Sequence, residues 1–483
     1  VQILTGREKW TYAIGNIPFS VKDAAYANFV VFYYTQVHGL SGTLAGLAMF
    51  LALTWDAITD PVVGSWSDSL RSRWGRRHPL LVAGGLPTAL LFLALFMPPD
   101  GLGEMGIFLW LLSVSVLLRT FLTIYFIPYS AMGAELSNDY DERTVIAKAR
   151  VTMGWIAGGS LPAIAFALFF PSQNGVDGRL IADNYWQYGV LSALLAAVTA
   201  LVCVIGTRSA ISRLPQAAPG QAFDWTQPFR DFRLILRNYN FRIAMGANLA
   251  FGVCAGVYTT LSMYLGTYFW EFSTEQMAGL VVPGAVATLV AFVVLSRAGR
   301  RFDKPVLLAS ASLALAVNLI WFIGGRLLGL LPENGDPIIY ALQWLNAGIG
   351  VLLIITLQVV GISLYADIVD EQEMHTGLRQ EGVVFAAGSF LGKATTGAGS
   401  LLAGIVIDVS GMTPGLEPGA VSEAVLQSLG WFTLVTIAGL ALIAFVFNTR
   451  LRLSRADHAR VAVELTARRA GDVGPESVLR QAP

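Results

Sequence analysis

The chain has 483 residues, and its 32 Lys and Arg balance 32 Asp and Glu, so its net charge is zero. Charged residues make up 13%, about half the usual globular share, while hydrophobic residues reach 55% and the mean hydropathy is +0.60. Such a chain is too apolar to be disordered and too poor in charge to cover itself in water, and its neutrality gives no support to nucleic-acid binding. An integral membrane protein remains.

A spanning helix needs roughly 20 mostly apolar residues. Twelve stretches qualify in chain order: 12–35, 42–66, 79–98, 106–133, 145–170, 187–206, 241–270, 276–296, 305–330, 337–366, 383–407 and 425–447. Their apolar runs are continuous rather than alternating, which excludes a barrel. The chain opens at Val1 with Arg7 and Lys9 and shows no cleavable signal, so the absent Met reads as a trimmed start. Cys203 and Cys254 sit in apolar runs and suggest neither a metal site nor a disulfide framework.

Arg and Lys crowd the even-numbered connections and both tails, whereas the opposite loops hold only Arg179 and Arg326. That asymmetry places both termini in the cytoplasm. The expected organisation is a six-helix bundle at 1–206, a cytoplasmic linker at 207–240, a second six-helix bundle at 241–447 and a cytoplasmic tail at 448–483. The halves echo each other. Trp74-Gly75-Arg76-Arg77-His78-Pro79 follows span two, and Gly299-Arg300-Arg301-Phe302-Asp303-Lys304-Pro305 follows span eight. Acidic groups follow span four (Asp139 to Glu142) and span ten (Asp367 to Glu371). These segments, with Glu373, Arg379 and Glu381, read as helix-to-helix ion-pair latches at the membrane surface.

Charges inside spans are expensive and usually face a bundle interior or a water-filled cavity. Span one carries Lys22 and Asp23, which point about 100° apart and need not pair with each other. Span two carries Trp55-Asp56-Ala57-Ile58-Thr59-Asp60-Pro61, with Asp56 and Asp60 on one helix face. Their repulsion favours a shared cation or proton, and a hard cation such as sodium favours such oxygen ligands. Span four has Arg119, with Thr123 and Phe126 on the same face; Arg119 either pairs with an aspartate or binds a substrate. Arg150 lies near the start of span five, where it either snorkels or reaches inward. Lys393 is deep in span eleven, beside the small-residue run Ala394 to Ser400, and needs a carboxylate partner. Asp56 and Asp60 serve if the two halves face each other. Tyr26, Tyr33, Tyr129 and Trp155 are cavity-lining or interface aromatics. No nucleophile elbow, phosphate-binding glycine loop or metal cluster appears, so neither an enzyme nor a cofactor is expected.

Trp55 to Pro61, Arg71-Ser72-Arg73-Trp74-Gly75-Arg76, Ile127-Pro128-Tyr129-Ser130-Ala131, Asp141-Glu142-Arg143 and Ala366-Asp367-Ile368-Val369-Asp370 together resemble the glycoside–pentoside–hexuronide:cation symporter family. This is the melibiose-permease-like branch of the major facilitator superfamily. The resemblance runs from about Tyr12 to about Gly404. It implies an all-α membrane protein of twelve transmembrane helices in two pseudo-symmetric six-helix bundles, with alternating access and uptake driven by sodium or protons. By this resemblance Asp56 and Asp60 form the cation-binding pair, and are the metal ligands if sodium is the ion. Thr123 supports that cation, Lys393 lies near the pair, and Lys22 and Asp23 contact sugar. Arg150 falls within one residue of a sugar-binding arginine. Two positions depart from the family. Thr59 replaces an Asn between the acids, and Phe126 replaces an acid before Ile-Pro. Thr59 is also what vertebrate lysolipid transporters of the same branch carry there.

The expected substrate-binding set is Lys22, Asp23, Tyr26, Arg119, Phe126, Tyr129 and Arg150. The coupling set is Asp56, Thr59, Asp60, Thr123 and Lys393. Four buried cations against three buried anions, plus a coupling cation, leave two positive charges, which favours an anionic sugar. The expected protein is a monomeric symporter of a sugar or glycoside in a bacterial inner membrane. A lysolipid or amphiphile transporter is the first alternative and predicts a lateral gap with an apolar tunnel. A membrane sensor or receptor without flux is the second.

Overall fold

The computed structural model describes residues 5–137, 139–211, 233–377 and 381–469. Most of the expected linker, Arg379, the Glu381 side chain and the tail beyond residue 469 lie outside that description. Among the described residues there is no strand, only an isolated bridge between Gln173 and Val176. Eleven helical segments are long and apolar enough to cross a membrane.

The first expected span is the exception. It is built from α1 (Gly6–Ile14), α2 (Ile17–Asn28), a single turn at Val30–Phe32 and a wide π turn at Tyr33–Val37. The helix is interrupted at Gly15 and Asn16, and residue 15 is glycine because a side chain there would strike Cys203 and Tyr129. Pro18 then suits the first turn of α2, where its missing N–H would be unpaired anyway. Non-helical backbone inside a membrane protein persists where neighbours satisfy its polar groups. Here the Tyr125 hydroxyl donates to Gly15 O at 2.8 Å and the Tyr129 hydroxyl to Tyr12 O at 2.9 Å.

The remaining elements of the first half are α3 (Gly42–Ser69), α4 (His78–Leu95), α5 (Glu104–Glu135), α6 (Tyr140–Leu168) and α7 (Ala182–Gly206). The second half has α8 (Tyr239–Tyr264), α9 (Thr274–Gly279), α10 (Val281–Arg301), α11 (Lys304–Leu319), α12 (Pro337–Thr376), α13 (Glu381–Val409) and α14 (Glu423–Asn448). An amphipathic α15 (Arg455–Arg469) follows, so part of the expected tail is a helix packed on α12. Helix α12 has 40 residues, roughly 60 Å at 1.5 Å per residue, so it outruns a hydrocarbon core of about 30 Å. Its overhang carries the acidic group Asp367 to Glu371.

Helices pack mostly within their own half: α4 on α5 and α7, α3 on α5, α8 on α14, and α11 on α12 and α14. The latches sit at the end that carries the termini. Arg77 pairs with Glu135 at 2.5 Å and Asp68 at 2.7 Å, and Arg76 pairs with Glu135 at 2.7 Å. Lys9 meets Glu142 at 2.9 Å. In the second half the pair is Lys304 with Asp367 at 2.6 Å, and Arg455 of α15 donates to the carbonyls of Gly299 and Arg300.

The halves meet along α3 and α13, which run antiparallel. A side chain at Gly404 would collide with the backbone of Gly42, and one at Gly46 with the backbone of Ser400 and Leu401. Small residues here let the two backbones approach, as in membrane helix pairs generally. At the end away from the termini, the Asp408 carboxylate accepts from Gly42 N at 2.7 Å and Thr43 N at 2.8 Å. A carboxylate of one half thus caps the positive N-terminus of a helix in the other. Beside it two π turns meet, one from each half: Thr35 bonds Tyr264, and Tyr268 donates to Gln36 at 2.9 Å.

Overpacking a tight seam costs about 1–3 kcal/mol. Gly404→Val should therefore lower the thermal midpoint of the purified protein by that order of stability. Gly439→Val, at a glycine with open space around its Cβ position, should change it far less in the same melting experiment.

Candidate functional site

Five polar side chains converge where α3, α5 and α13 touch. Asp56 and Asp60 project from one face of α3 across to Lys393 of α13, the other half of the molecule. Lys393 Nζ lies 2.9 Å from Asp56 Oδ2 and also pairs with Asp60 Oδ2. From α5, Thr123 Oγ1 lies 3.0 Å from Asp56 Oδ1 and 3.1 Å from Asp60 Oδ1, so the two carboxylates compete for its one hydroxyl hydrogen. Arg119, one helical turn earlier on α5, places Nη1 3.4 Å from Asp56 Oδ2. Its guanidinium lies 4.7 Å from the centroid of the Tyr26 ring.

The charges balance inside this cluster: two carboxylates face one lysine and one arginine. Burial makes that balance obligatory, since an uncompensated ion in a low-dielectric interior costs several kcal/mol. The members differ in freedom. The Arg119 side chain is 4% exposed and the Lys393 side chain is 27% exposed. Thr59 stays out of the cluster, because its hydroxyl donates to Asp56 O of its own helix at 3.3 Å.

A second group lies on α2. Lys22 and Asp23 pair with each other at 2.5 Å, although their helical angle did not require it. The long lysine side chain folds back, and its ammonium sits 4.2 Å from the centroid of the Phe19 ring. Phe19 in turn stacks on Phe126 of α5, with centroids 4.1 Å apart. The Asp23 carboxylate is 56% exposed although it lies within a span. A charge so placed needs a water-accessible space rather than lipid.

The remaining expected residues are placed elsewhere. Arg150 Nη1 donates to Ser130 Oγ at 2.6 Å, toward the termini-side end of α5. Tyr129 is fully buried, stacked on Tyr12 and bonded to its carbonyl, and therefore braces the break in span one. Tyr33 donates to Phe96 O at 3.2 Å within the first half, and Trp155 is exposed on α6. So Asp56, Asp60, Thr123, Lys393 and Arg119 are brought together, Lys22, Asp23 and Phe126 form a neighbouring group, and Tyr129 and Arg150 join neither.

Sequence reasoning also missed a cavity of about 330 Å³ between the halves. Asn28 of α2 and Phe166 of α6 line it from one half, and Tyr258, Trp270, Phe322 and Asn346 from the other. Its wall is mainly apolar, and Asn346 Oδ1 is buried there without a hydrogen-bond partner. No periodicity marks it, because its residues come from many separate elements of both halves.

A family profile described as "MFS/sugar transport protein" matches residues 11–455. A putative glycoside/cation symporter of Escherichia coli is 25% identical over 84% of this chain and 83% of its own length. A sodium-dependent lysophosphatidylcholine symporter of Mus musculus is 32% identical over 41% of this chain and 42% of its own length. Among solved structures, the xylose transporter of Escherichia coli aligns with a TM-score of 0.59 and 12% identity, covering 93% of this chain and 98% of that one. That likeness shows the fold, two pseudo-symmetric helical bundles.

Removing one partner of a buried ion pair strands the other. Lys393→Ala should destabilise the protein by about 1–3 kcal/mol, less than for a fully buried lysine because water screens part of the interaction. Adding Asp60→Asn to Lys393→Ala should restore most of the loss in a thermal double-mutant cycle, whereas Asp23→Asn should not.

Proposed function

The chain belongs to the MFS/sugar transport protein family, and from that membership we propose that it is a cation-coupled symporter of a sugar or glycoside. The observation that carries this reading is the acidic pair of one half bridged by a lysine of the other. A coupling cation, sodium or a proton, that neutralises Asp56 or Asp60 weakens their hold on Lys393. Ion occupancy thereby acts directly on the joint between the two halves, which is the requirement for coupling an ion gradient to alternating access.

The solute in this reading meets Asp23 and the Phe19–Phe126 stack. A carboxylate accepts strongly from sugar hydroxyls, and an aromatic face suits the apolar side of a sugar ring. The internal pairing of Arg119 lowers the demand for an anionic solute. Lys22 already holds Asp23, and the acidic pair holds Arg119 and Lys393, so Arg150 is the cation left over from the expected set. A neutral sugar or glycoside is then sufficient.

The basic residues place the termini, and the latches beside them, on the cytoplasmic side of a bacterial inner membrane. In this reading the contacts through Asp408, Gln36 and Thr35 close the outer face.

A second reading has its own observation. The apolar cavity of about 330 Å³ beside α2 and α6 suits the chain of an amphiphile. Under that reading the head group lies near Asp23 and the acyl chain occupies the cavity.

Proteoliposomes loaded with buffer and given an inward ion gradient test both. Wild-type protein should accumulate a radiolabelled sugar or glycoside from a panel, and lysolipid should not compete. Competition by lysolipid at micromolar concentration, with no sugar accumulated, would establish the second reading instead. Asp60→Asn should lose accumulation against a gradient at least 100-fold while downhill exchange persists. Asp23→Ala should lose solute binding, and a hexuronide should bind no tighter than its neutral hexoside.

A further inference from the structure

The family resemblance implies a coupling cation, sodium or a proton, at Asp56 and Asp60, and the side chains around the pair fit sodium poorly. A hard monovalent cation needs several oxygens with free lone pairs converging on one point. Five side-chain oxygens are available here, two from each aspartate and one from Thr123. Both Oδ2 atoms already face N–H donors, Arg119 and Lys393 on Asp56 and Lys393 on Asp60, and the two Oδ1 atoms share the single hydrogen of the Thr123 hydroxyl. The Thr59 hydroxyl, which stands where the resembling family has an Asn, is turned to the carbonyl of Asp56.

Lys393 is able to withdraw. It comes from the opposite half on a flexible stem and is partly exposed. Arg119 is not. It belongs to the same half as the aspartates, is almost fully buried and is packed over Tyr26. A guanidinium also keeps its charge under all ordinary conditions. The neighbouring charges on α2, Lys22 and Asp23, neutralise each other. When Lys393 leaves, a fixed positive charge therefore remains on Asp56, 3.4 Å from its Oδ2, and repels a metal ion approaching that carboxylate.

We infer that Arg119 stands in for the coupling metal ion at Asp56, so that the Asp56–Asp60 pair excludes sodium and the coupling ion is not a metal ion. Arg119 is then the residue that sets ion specificity, although it resembles no position in the family pattern. The inference rests on the reading of this pair as the coupling site and names the ion class it rejects.

The test compares wild-type protein with Arg119→Gln in detergent, measuring the melting temperature against NaCl with choline chloride holding ionic strength constant and KCl as a second control. Wild type should melt identically in all three salts. Arg119→Gln should gain a saturable stabilisation specific to sodium, equivalent to at least a tenfold rise in sodium affinity. A saturable sodium response of the wild type would overturn the inference, as would a folded Arg119→Gln protein with no gain. If Arg119→Gln does not fold, equilibrium binding of radioactive sodium to wild type and Asp60→Asn decides. One sodium bound per wild-type chain and lost in Asp60→Asn overturns the inference, and no specific binding to wild type supports it. Sodium binding would leave the symporter reading standing, whereas failure of the uptake assay would remove that reading without touching the salt dependence.

Discussion

Two carboxylates one turn apart inside a membrane protein cannot both stay charged without partners, and the rest of the architecture is arranged around supplying them. Asp56 and Asp60 draw one cation from the neighbouring helix α5 and one from α13 across the seam. The two are not equivalent. The arginine is local, buried and permanently charged, so it belongs to the first half as a fixed part of the site. The lysine comes from the other half and ties the two halves together at the site. One electrostatic requirement thus places the ion chemistry and the mechanical joint at the same point.

The seam itself must be tight enough for that lysine to reach and loose enough to part. Glycines at 42, 46 and 404 bring α3 and α13 into backbone contact without interlocking side chains. What holds the outer end is a small set of polar contacts, chiefly Asp408 on the N-terminus of α3 and the two π turns that meet through Gln36 and Tyr268. Polar contacts of this kind can be exchanged for water when the outer face opens, whereas an interdigitated apolar core would resist separation. At the other end the pairs of Arg77 with Glu135 and of Lys304 with Asp367 each lie within one half.

The break in span one shows where a linear reading falls short. Residues 12–35 are apolar enough to read as one helix, and nothing in their hydropathy marks Gly15 as a stop. What supports the interruption is contact: Cys203 and Tyr129 leave room only for glycine, and Tyr125 and Tyr129 donate to the carbonyls of Gly15 and Tyr12. Tyr129 looked like a cavity residue for the same reason. Its position along the helix was visible, but the partner that uses its hydroxyl is 117 residues away.

Composition, run length and charge asymmetry determined by themselves that this is a multi-span helical membrane protein, because the bilayer imposes length and polarity on each segment separately. Charge burial determined the principal site as well. Lys393 had to find a carboxylate, and Asp56 and Asp60 had to find a cation, whatever the fold. The tertiary structure alone decided which partners were chosen. It put Arg119 on Asp56 rather than on a solute, turned Thr59 back to its own helix, folded Lys22 onto Asp23, and enclosed the apolar cavity between the halves. Each of those outcomes depends on distances between segments far apart in the chain, and such distances are set by packing rather than by any local pattern of residues.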